Sequence, residues 1–223
     1  IMTHNTSGKF KWITDFNIAF NKFTVNELLV DSIKGYNSIL IEGQGLNFFT
    51  YEREPLVDSI TGHVVLVDQN GDGSITYGGG NADKTITGHP LPVFFGGITN
   101  TFEYRGFDLS IFFQFVYGND IYNATRQTLD DYQVASGLSV GVNGTSEAFN
   151  GRFIPVDVTD DEGNVIWPRN VITPHPTTNY AGNNIDQREG HSGWIEDGSY
   201  LRLKTLTFGY TLPKKWLSRI KMA

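Results

Sequence analysis

Apolar and polar side chains alternate along residues 107–117, FDLSIFFQFVY. Every second residue from Phe107 to Tyr117 is apolar or aromatic, whereas the residues between them include Asp108, Ser110 and Gln114. A period of two predicts a β-strand whose two faces lie in different environments. The apolar face of this strand must therefore contact either a protein core or lipid.

Three further stretches, residues 9–22, 93–104 and 198–213, are also predicted to be strands. The Arg105–Gly106 break predicts a tight β-hairpin, whereas the connections after 9–22 and after 107–117 are long. An up-and-down path places both long connections on one side of the sheet, as in transmembrane barrels, whose strands need about 9–11 residues. A secreted soluble β-sandwich that binds carbohydrate is the alternative, but a sandwich does not favour this segregation of loop lengths.

The spacing of apolar residues and the local composition predict a bulge, several short strands and a helix. Leu201 and Leu203 are out of phase with the apolar residues that follow them, which predicts a β-bulge. Residues 38–54 are predicted to form two short strands, and a short apolar strand is predicted just after residue 61. Residues 124–135 are predicted to be helical.

Composition narrows the class of protein. Aromatic residues make up 13% of the chain and there are 25 glycines, a mixture that suits β-structure with many turns. The formal charge of −7 argues against a nucleic-acid partner, which would require a basic surface. The chain has no cysteine, so it can form neither a disulfide nor a cysteine metal site. It contains no apolar run of about 18 residues and no recognisable signal peptide at its start.

One acidic loop, residues 68–76 (DQNGDGSIT), matches the first half of a calcium-binding loop. Oxygen-bearing side chains occupy alternate positions, and Gly73 provides the sharp turn. Position twelve of the loop is Gly79, where a calcium loop requires a bidentate glutamate, so a turn without metal is the alternative. The candidate calcium ligands are Asp68, Asn70, Asp72 and Ser74.

The sequence contains no catalytic constellation, and we predict that the protein is not an enzyme. The five histidines are dispersed, and the neighbouring carboxylates of Glu196 and Asp197 point to opposite faces of an extended chain. Aromatic residues of the long polar segment 118–198 are better candidates, since flat rings stack on sugars or anchor a partner. Packing of the loop against itself is the alternative. These candidates are Tyr122, Tyr132, Trp167, Tyr180 and Trp194.

Two long stretches of the sequence resemble the C-terminal barrel of the SusC/RagA family of TonB-linked outer-membrane proteins. They are residues 82–126 (ADKTITGHPLPVFFGGITNTFEYRGFDLSIFFQFVYGNDIYNATR) and 192–217 (SGWIEDGSYLRLKTLTFGYTLPKKWL). The FKW…FNIAFNK strand and the D-x-N-G-D-G loop precede them in the order found in the family. The resemblance implies an all-β fold: antiparallel strands of a large, partial transmembrane β-barrel of about 22 strands, with long extracellular loops. Residues 1–223 would be a single section of the barrel domain, without the plug domain and the closing strands.

The resemblance also implies a function. Family members import glycans, peptides or other nutrients across the outer membrane of Gram-negative bacteria, together with an SusD-like surface lipoprotein. Energy reaches them from the TonB system, here through the missing N-terminal part. The apolar face of 107–117 would contact outer-membrane lipid, and the polar faces of the strands would line the lumen. The lumen-facing candidates are Asp15, Asn17, Thr99, Thr101, Glu103, Asp108, Ser110 and Gln114.

Overall fold

The structure, a computed structural model, describes residues 1–77, 82–130, 144–176 and 189–213. The chain divides into two compact units, each described by itself below. The sheet unit comprises residues 1–23, 91–120 and 197–223, and the insert unit comprises residues 24–90 and 121–196.

Short strands outnumber helices among the described residues. In chain order the strands are β1 (Met2–Ser7), β2 (Phe10–Phe20), β3 (Ser32–Lys34), β4 (Ser38–Ile41), β5 (Leu46–Tyr51), β6 (Lys84–Gly88), β7 (Phe94–Tyr104), β8 (Phe107–Tyr117), β9 (Asp120–Tyr122), β10 (Val158–Thr159), β11 (Val165–Trp167), β12 (Ile195–Asp197) and β13 (Tyr200–Tyr210). The helices are α1 (Ala124–Asp130) and α2 (Ser146–Gly151), and a 3₁₀ turn covers Ser192–Trp194. In the described part of the chain, no helix has the length and apolar character needed to cross a bilayer.

The sheet unit is one antiparallel sheet with the strand order β1-β2-β7-β8-β13. Four of its strands are 11 residues long, as the alternating patterns predict, and the predicted all-β antiparallel fold is confirmed. The β7–β8 turn has a positive φ at both Arg105 (49°) and Gly106 (91°). Two such residues form the kind of tight turn that matches the twist of a hairpin.

The predicted bulge lies in β13. The pairing of β13 with β8 shifts between Leu203, which lies opposite Phe113, and Thr205, which lies opposite Phe112. Lys204 is the extra residue. Because of this shift, Leu201 and Leu203 share one face of the sheet with Leu206, although their sequence spacing puts them out of phase.

Short and long connections lie at opposite ends of the strands. These two ends of the sheet are called the turn edge and the loop edge below. The pairs Ser7–Phe10 and Tyr104–Phe107 flank the two-residue turns and align along one edge. The long connections leave from Phe20 and Tyr117 and return at Phe94 and Tyr200, at the other edge. The predicted segregation of loop lengths is therefore confirmed.

The insert unit contains the antiparallel sheet β3-β4-β5-β6 and the short hairpin β10-β11. Tyr51, Val64 and Leu66 form its buried core, against which Ile75 and Tyr77 pack. The prediction of an apolar strand just after residue 61 is wrong. Of the residues in that stretch, only Leu66 makes a β-bridge, and its partner is Arg53. Val64 and Leu66 produced the apolar pattern because they are core residues within an irregular segment.

The predicted helix begins at Ala124, and its residues 131–135 lie outside the described residues.

Candidate functional site

One face of the sheet unit carries the polar residues that the sequence selected. The strand register places Asp15 opposite Thr99, and Glu103 opposite Asp108. The Nζ of Lys11 lies 2.9 Å from a carboxylate oxygen of Glu103, and both side chains are exposed, so this ion pair adds at most about 1 kcal/mol. All eight predicted residues share this polar face: Asp15, Asn17, Thr99, Thr101, Glu103, Asp108, Ser110 and Gln114.

Two residues of the polar face, Arg202 and Phe112, were not among those selected from the sequence. Arg202 lies opposite Gln114, and the bulge in β13 had hidden that alignment. Phe112 also lies on this face, where its ring covers Gly97, since a Cβ at Gly97 would be 2.6 Å from the ring. A glycine inside a strand is the signal that could have shown this close approach.

The opposite face is apolar and ends in aromatic residues at both edges. At the turn edge, the ring centroids of Phe107 and Tyr210 lie 4.3 Å apart, and at the loop edge those of Phe94 and Tyr117 lie 5.0 Å apart. Phe107 is 46% exposed and Tyr117 56% exposed. Ten residue steps of about 3.3 Å, tilted by about 45°, separate these edges by roughly 23 Å in height. That height matches the apolar band of about 25 Å on transmembrane barrels.

Asn100 is a polar residue within the apolar face. Its Oδ1 accepts hydrogen bonds from Trp12 Nε1 at 2.9 Å and from Thr14 Oγ1 at 2.7 Å. These bonds pair polar groups with one another along the surface of the sheet. Such pairing lowers the cost of placing them in an environment without water.

Two of the predicted loop aromatics pack inside the insert unit. Trp194 is 3% exposed, and its ring stacks on that of His191 with centroids 4.7 Å apart. Burial lowers the pKa of His191 to about 3, so its ring is neutral. The Tyr122 hydroxyl donates to Gln127 Oε1 at 2.9 Å, and burial raises the pKa of Tyr122 to about 12. Both positions agree with the alternative in which the loop packs against itself.

Trp167 lies partly exposed on the surface of the insert unit. Its ring meets Phe149 edge-on at 5.6 Å, and the guanidinium of Arg152 lies 4.2 Å from the centroid of each ring. This cluster joins apolar area to a positive charge, which suits contact with a partner. Tyr132 and Tyr180 lie outside the described residues.

A charged network holds three segments of the insert unit together. Arg126 donates from Nε to Asp130 at 3.2 Å and from Nη1 to Glu196 at 3.0 Å. The buried Asp130 also accepts from Thr145, the N-cap of α2, and Glu196 accepts from Asn123. The hydrogen bonds from Asn123 and Arg126 lower the pKa of Glu196, so Glu196 stays ionised at neutral pH.

Replacing Arg126 with methionine is expected to loosen these segments. Asp130 would lose its charged partner while remaining buried, and a hydrogen bond to a charged group contributes about 1.5–3 kcal/mol. Hydrogen exchange of residues 123–130 and 195–197 in the full-length protein should therefore become faster in this variant. Arg126→Lys keeps the charge but loses the two-pronged geometry, so it should have a smaller effect. Unchanged exchange in Arg126→Met would contradict the role of the network.

The acidic loop at 68–76 is organised by its own hydrogen bonds. The carboxylate of Asp68 accepts from the backbone N–H groups of Gly71 and Gly73, each at 2.7 Å. Asp72 accepts from Ser74, and the buried Asp83 accepts from the N–H groups at both ends of the loop. Within the described residues, no group of three or more acidic or histidine side chains is arranged to hold a metal. The geometry agrees with turns stabilised by side chains, and calcium at Asp68, Asn70, Asp72 and Ser74 stays a prediction from the motif.

The chain has curated relatives that extend far beyond its length. TonB-dependent receptor P3 of Formosa agariphila is 29% identical over 240 residues, which cover 96% of this chain and 21% of the relative. TonB-dependent receptor P26 of the same organism is 26% identical and covers 95% of this chain. The chain thus spans about a fifth of the length of these relatives. No protein-family model matches it.

Solved structures share the fold. The RagAB peptide transporter matches 97% of this chain and 22% of its own with a TM-score of 0.66 at 17% identity. The RagAB peptide importer in the closed-closed state gives a TM-score of 0.68 over the same share. The resemblance predicted from the sequence is therefore confirmed: the chain is similar to a section of TonB-dependent receptors, and it shares the fold of the corresponding section of the RagAB structures.

Proposed function

We propose that this chain forms part of the wall of an outer-membrane, TonB-dependent transporter. In this proposal residues 1–223 act as one section of the barrel domain in a Gram-negative bacterium. The transporter imports glycans, peptides or other nutrients together with an SusD-like surface lipoprotein, and TonB supplies the energy. Its mechanism is binding and gated passage, and no bond is made or broken.

The observation that carries this proposal is the exposed apolar face of the sheet unit. It extends across β2, β7, β8 and β13, with aromatic residues at both edges and polar residues on the reverse side. Contiguous apolar surface of this kind is rare on proteins surrounded by water and is the normal surface of a barrel in lipid. A soluble sandwich would instead bury such a face against a second sheet.

The polar face has the chemistry expected for a wall that polar substrates pass. It presents amides, hydroxyls and both signs of charge, as in Asn17, Ser110, Lys11 and Asp108. Such groups donate to and accept from hydroxyl, amide and charged groups of a glycan or a peptide. The name of the RagAB peptide transporter supports peptides as one substrate class, and Trp167 is the described loop aromatic best placed to contact a partner.

Labelling of engineered cysteines on intact cells tests the sidedness of this arrangement. The chain has no cysteine, so it adds no background label of its own. We expect Ile60→Cys, in an exposed position of the insert unit, to react with a membrane-impermeant maleimide in intact cells. Lys9→Cys, in the β1–β2 turn, should react only after the outer membrane is permeabilised. Reversed accessibility would overturn the assignment of the long connections to the cell exterior.

A further inference from the structure

The indole N–H of Trp194 is a buried hydrogen-bond donor that has no acceptor among the described residues. Trp194 is only 3% exposed. This chain alone covers the nitrogen, and additional chain in a longer receptor can only add to that cover. Buried donors in folded proteins are almost always bonded, either to a protein group or to ordered water, because an unbonded one is costly.

The neighbouring imidazole of His191 fixes the indole but cannot serve as its acceptor. The two rings stack with centroids 4.7 Å apart, and His191 is fully buried. The Nδ1 of His191 already accepts from the N–H of Gly193 at 3.1 Å. The Nε2 of the neutral ring therefore carries the hydrogen, and it is a donor without a partner in the described chain as well. The acceptor for Trp194 must come from elsewhere.

Trp194 lines a small cavity of the insert unit. The cavity has a volume of about 40 Å³, and it is bounded by the 3₁₀ turn at Ser192–Trp194, α1, residues 174–176 and Arg53. One buried water molecule needs about 10–15 Å³, so the cavity has room for about three at most. A sugar ring or an amino acid is too large to enter it.

The charges beside the cavity favour a neutral ligand over an ion. Arg126 bonds to the carboxylates of Asp130 and Glu196, and the guanidinium of Arg53 donates to the Pro174 carbonyl at 2.7 Å. An anion would be repelled by the carboxylate of Asp130, and a cation by the two guanidinium groups. The ligand that fits is therefore small and uncharged.

The cavity lining also offers both kinds of hydrogen-bonding group. Trp194 supplies the donor, whereas Asp130 and Pro174 supply acceptors. Asp130 already accepts from Arg126 and Thr145, but a carboxylate has about four acceptor sites. A buried water molecule typically makes about three hydrogen bonds, and it can accept from one group while donating to another.

We propose that a water molecule is bound in this cavity, where it accepts a hydrogen bond from Trp194 Nε1 and donates one to the carboxylate of Asp130. The water joins the 3₁₀ turn that leads into β12 to the charged network of α1. It thereby holds together two segments that are more than sixty positions apart in the chain. This inference does not depend on the transport proposal, because every residue that it uses belongs to the insert unit.

Replacing the indole N–H with sulfur in the full-length receptor tests the bond. Trp194→3-benzothienylalanine keeps the shape of the ring but removes the donor. We expect the backbone amides of residues 191–196 to exchange at least about fivefold faster in this variant, because a hydrogen bond is lost. The same replacement at the partly exposed Trp167 is the matched control and should leave this exchange unchanged. Unchanged or slower exchange in the Trp194 variant would contradict the proposal, since removing a donor that has no acceptor costs nothing.

A crystal structure of the unmodified full-length receptor, grown in bromide instead of chloride, identifies the acceptor directly. We expect a density peak about 2.7–3.2 Å from Trp194 Nε1, without the anomalous scattering of bromine. Three results would each overturn the proposal: a bromide signal at this position, a protein group within hydrogen-bond distance of the nitrogen, or no density peak at all. Neither measurement involves transport or labelling at Ile60, so failure here would leave the proposed function untouched.

Discussion

Leu206→Arg is expected to reduce the amount of folded receptor in the outer membrane by at least about tenfold. Leu206 lies on the apolar face, opposite Ile111 and near the middle of β13. An arginine facing lipid at mid-membrane costs about 2–4 kcal/mol. Because Leu206 is already 61% exposed in the described chain, the substitution removes little packing.

Thr207→Arg is the matched control, since it places the same side chain one residue further along, on the polar face opposite Ser110. Its folded fraction should stay close to that of the unmodified receptor. The measurement compares heated and unheated outer-membrane samples on gels, together with urea unfolding in lipid vesicles. If Thr207→Arg is the damaging variant, the two faces are assigned the wrong way round. Equal tolerance of both variants would favour a soluble protein.

Residues 1–223 expressed alone are expected to aggregate in plain buffer or to require detergent, and to show neither transport nor TonB dependence. The five strands of the sheet unit form an open sheet, whose edge strands β1 and β13 leave backbone groups unpaired on one side. The barrel that the resemblance implies needs about 22 strands to close. Exposed apolar area and open edges both promote association between chains.

A variant with Leu201→Thr and Phe208→Thr serves as the control for this expectation. Both residues lie on the exposed apolar face, and threonine introduces a β-branched side chain that suits a strand. The soluble fraction after centrifugation should rise in this variant, and light scattering should fall. A monomer of the unmodified chain with a cooperative melt in plain buffer would move the conclusion to the carbohydrate-binding sandwich.

The long strands were predictable because each carries its own signal. Alternation in 107–117 specifies both the strand and its faces, and the phase change at Leu203 specifies the bulge. Strand β1 was missed because neither of its faces is apolar: Met2, His4 and Thr6 alternate with Thr3, Asn5 and Ser7. It becomes a strand because it pairs with β2, and such pairing cannot be predicted from the alternation within β1 itself.

The polar face followed from the same alternation, whereas the roles of the loop aromatics did not. Burial of Trp194 depends on His191 and on the surrounding fold of the insert unit, which the spacing of aromatic residues does not reveal. The partners of Arg126 are equally non-local, since Glu196 lies seventy positions further along the chain. Sequence therefore predicted surfaces generated by a regular period, and it could not specify positions that depend on tertiary contacts.

The long connections at one edge of the sheet have a consequence for how the chain assembles. Hairpins β1–β2 and β7–β8 close over two residues and can form within microseconds. Pairing of β2 with β7 and of β8 with β13 must instead close residues 21–93 and 118–199, each at an entropic cost of about 4 kcal/mol plus a constant for a flexible loop.

Folding of the insert unit removes much of that entropy in advance. The unit combines residues 24–90 with residues 121–196, so it cannot be completed until the β7–β8 hairpin between them has been synthesised. Once it forms, it shortens both loops together and favours pairing that starts from Phe20–Phe94 and Val116–Tyr200. The strands would then zip from the loop edge towards the turns, and the insert unit would set the rate at which this section of wall is built.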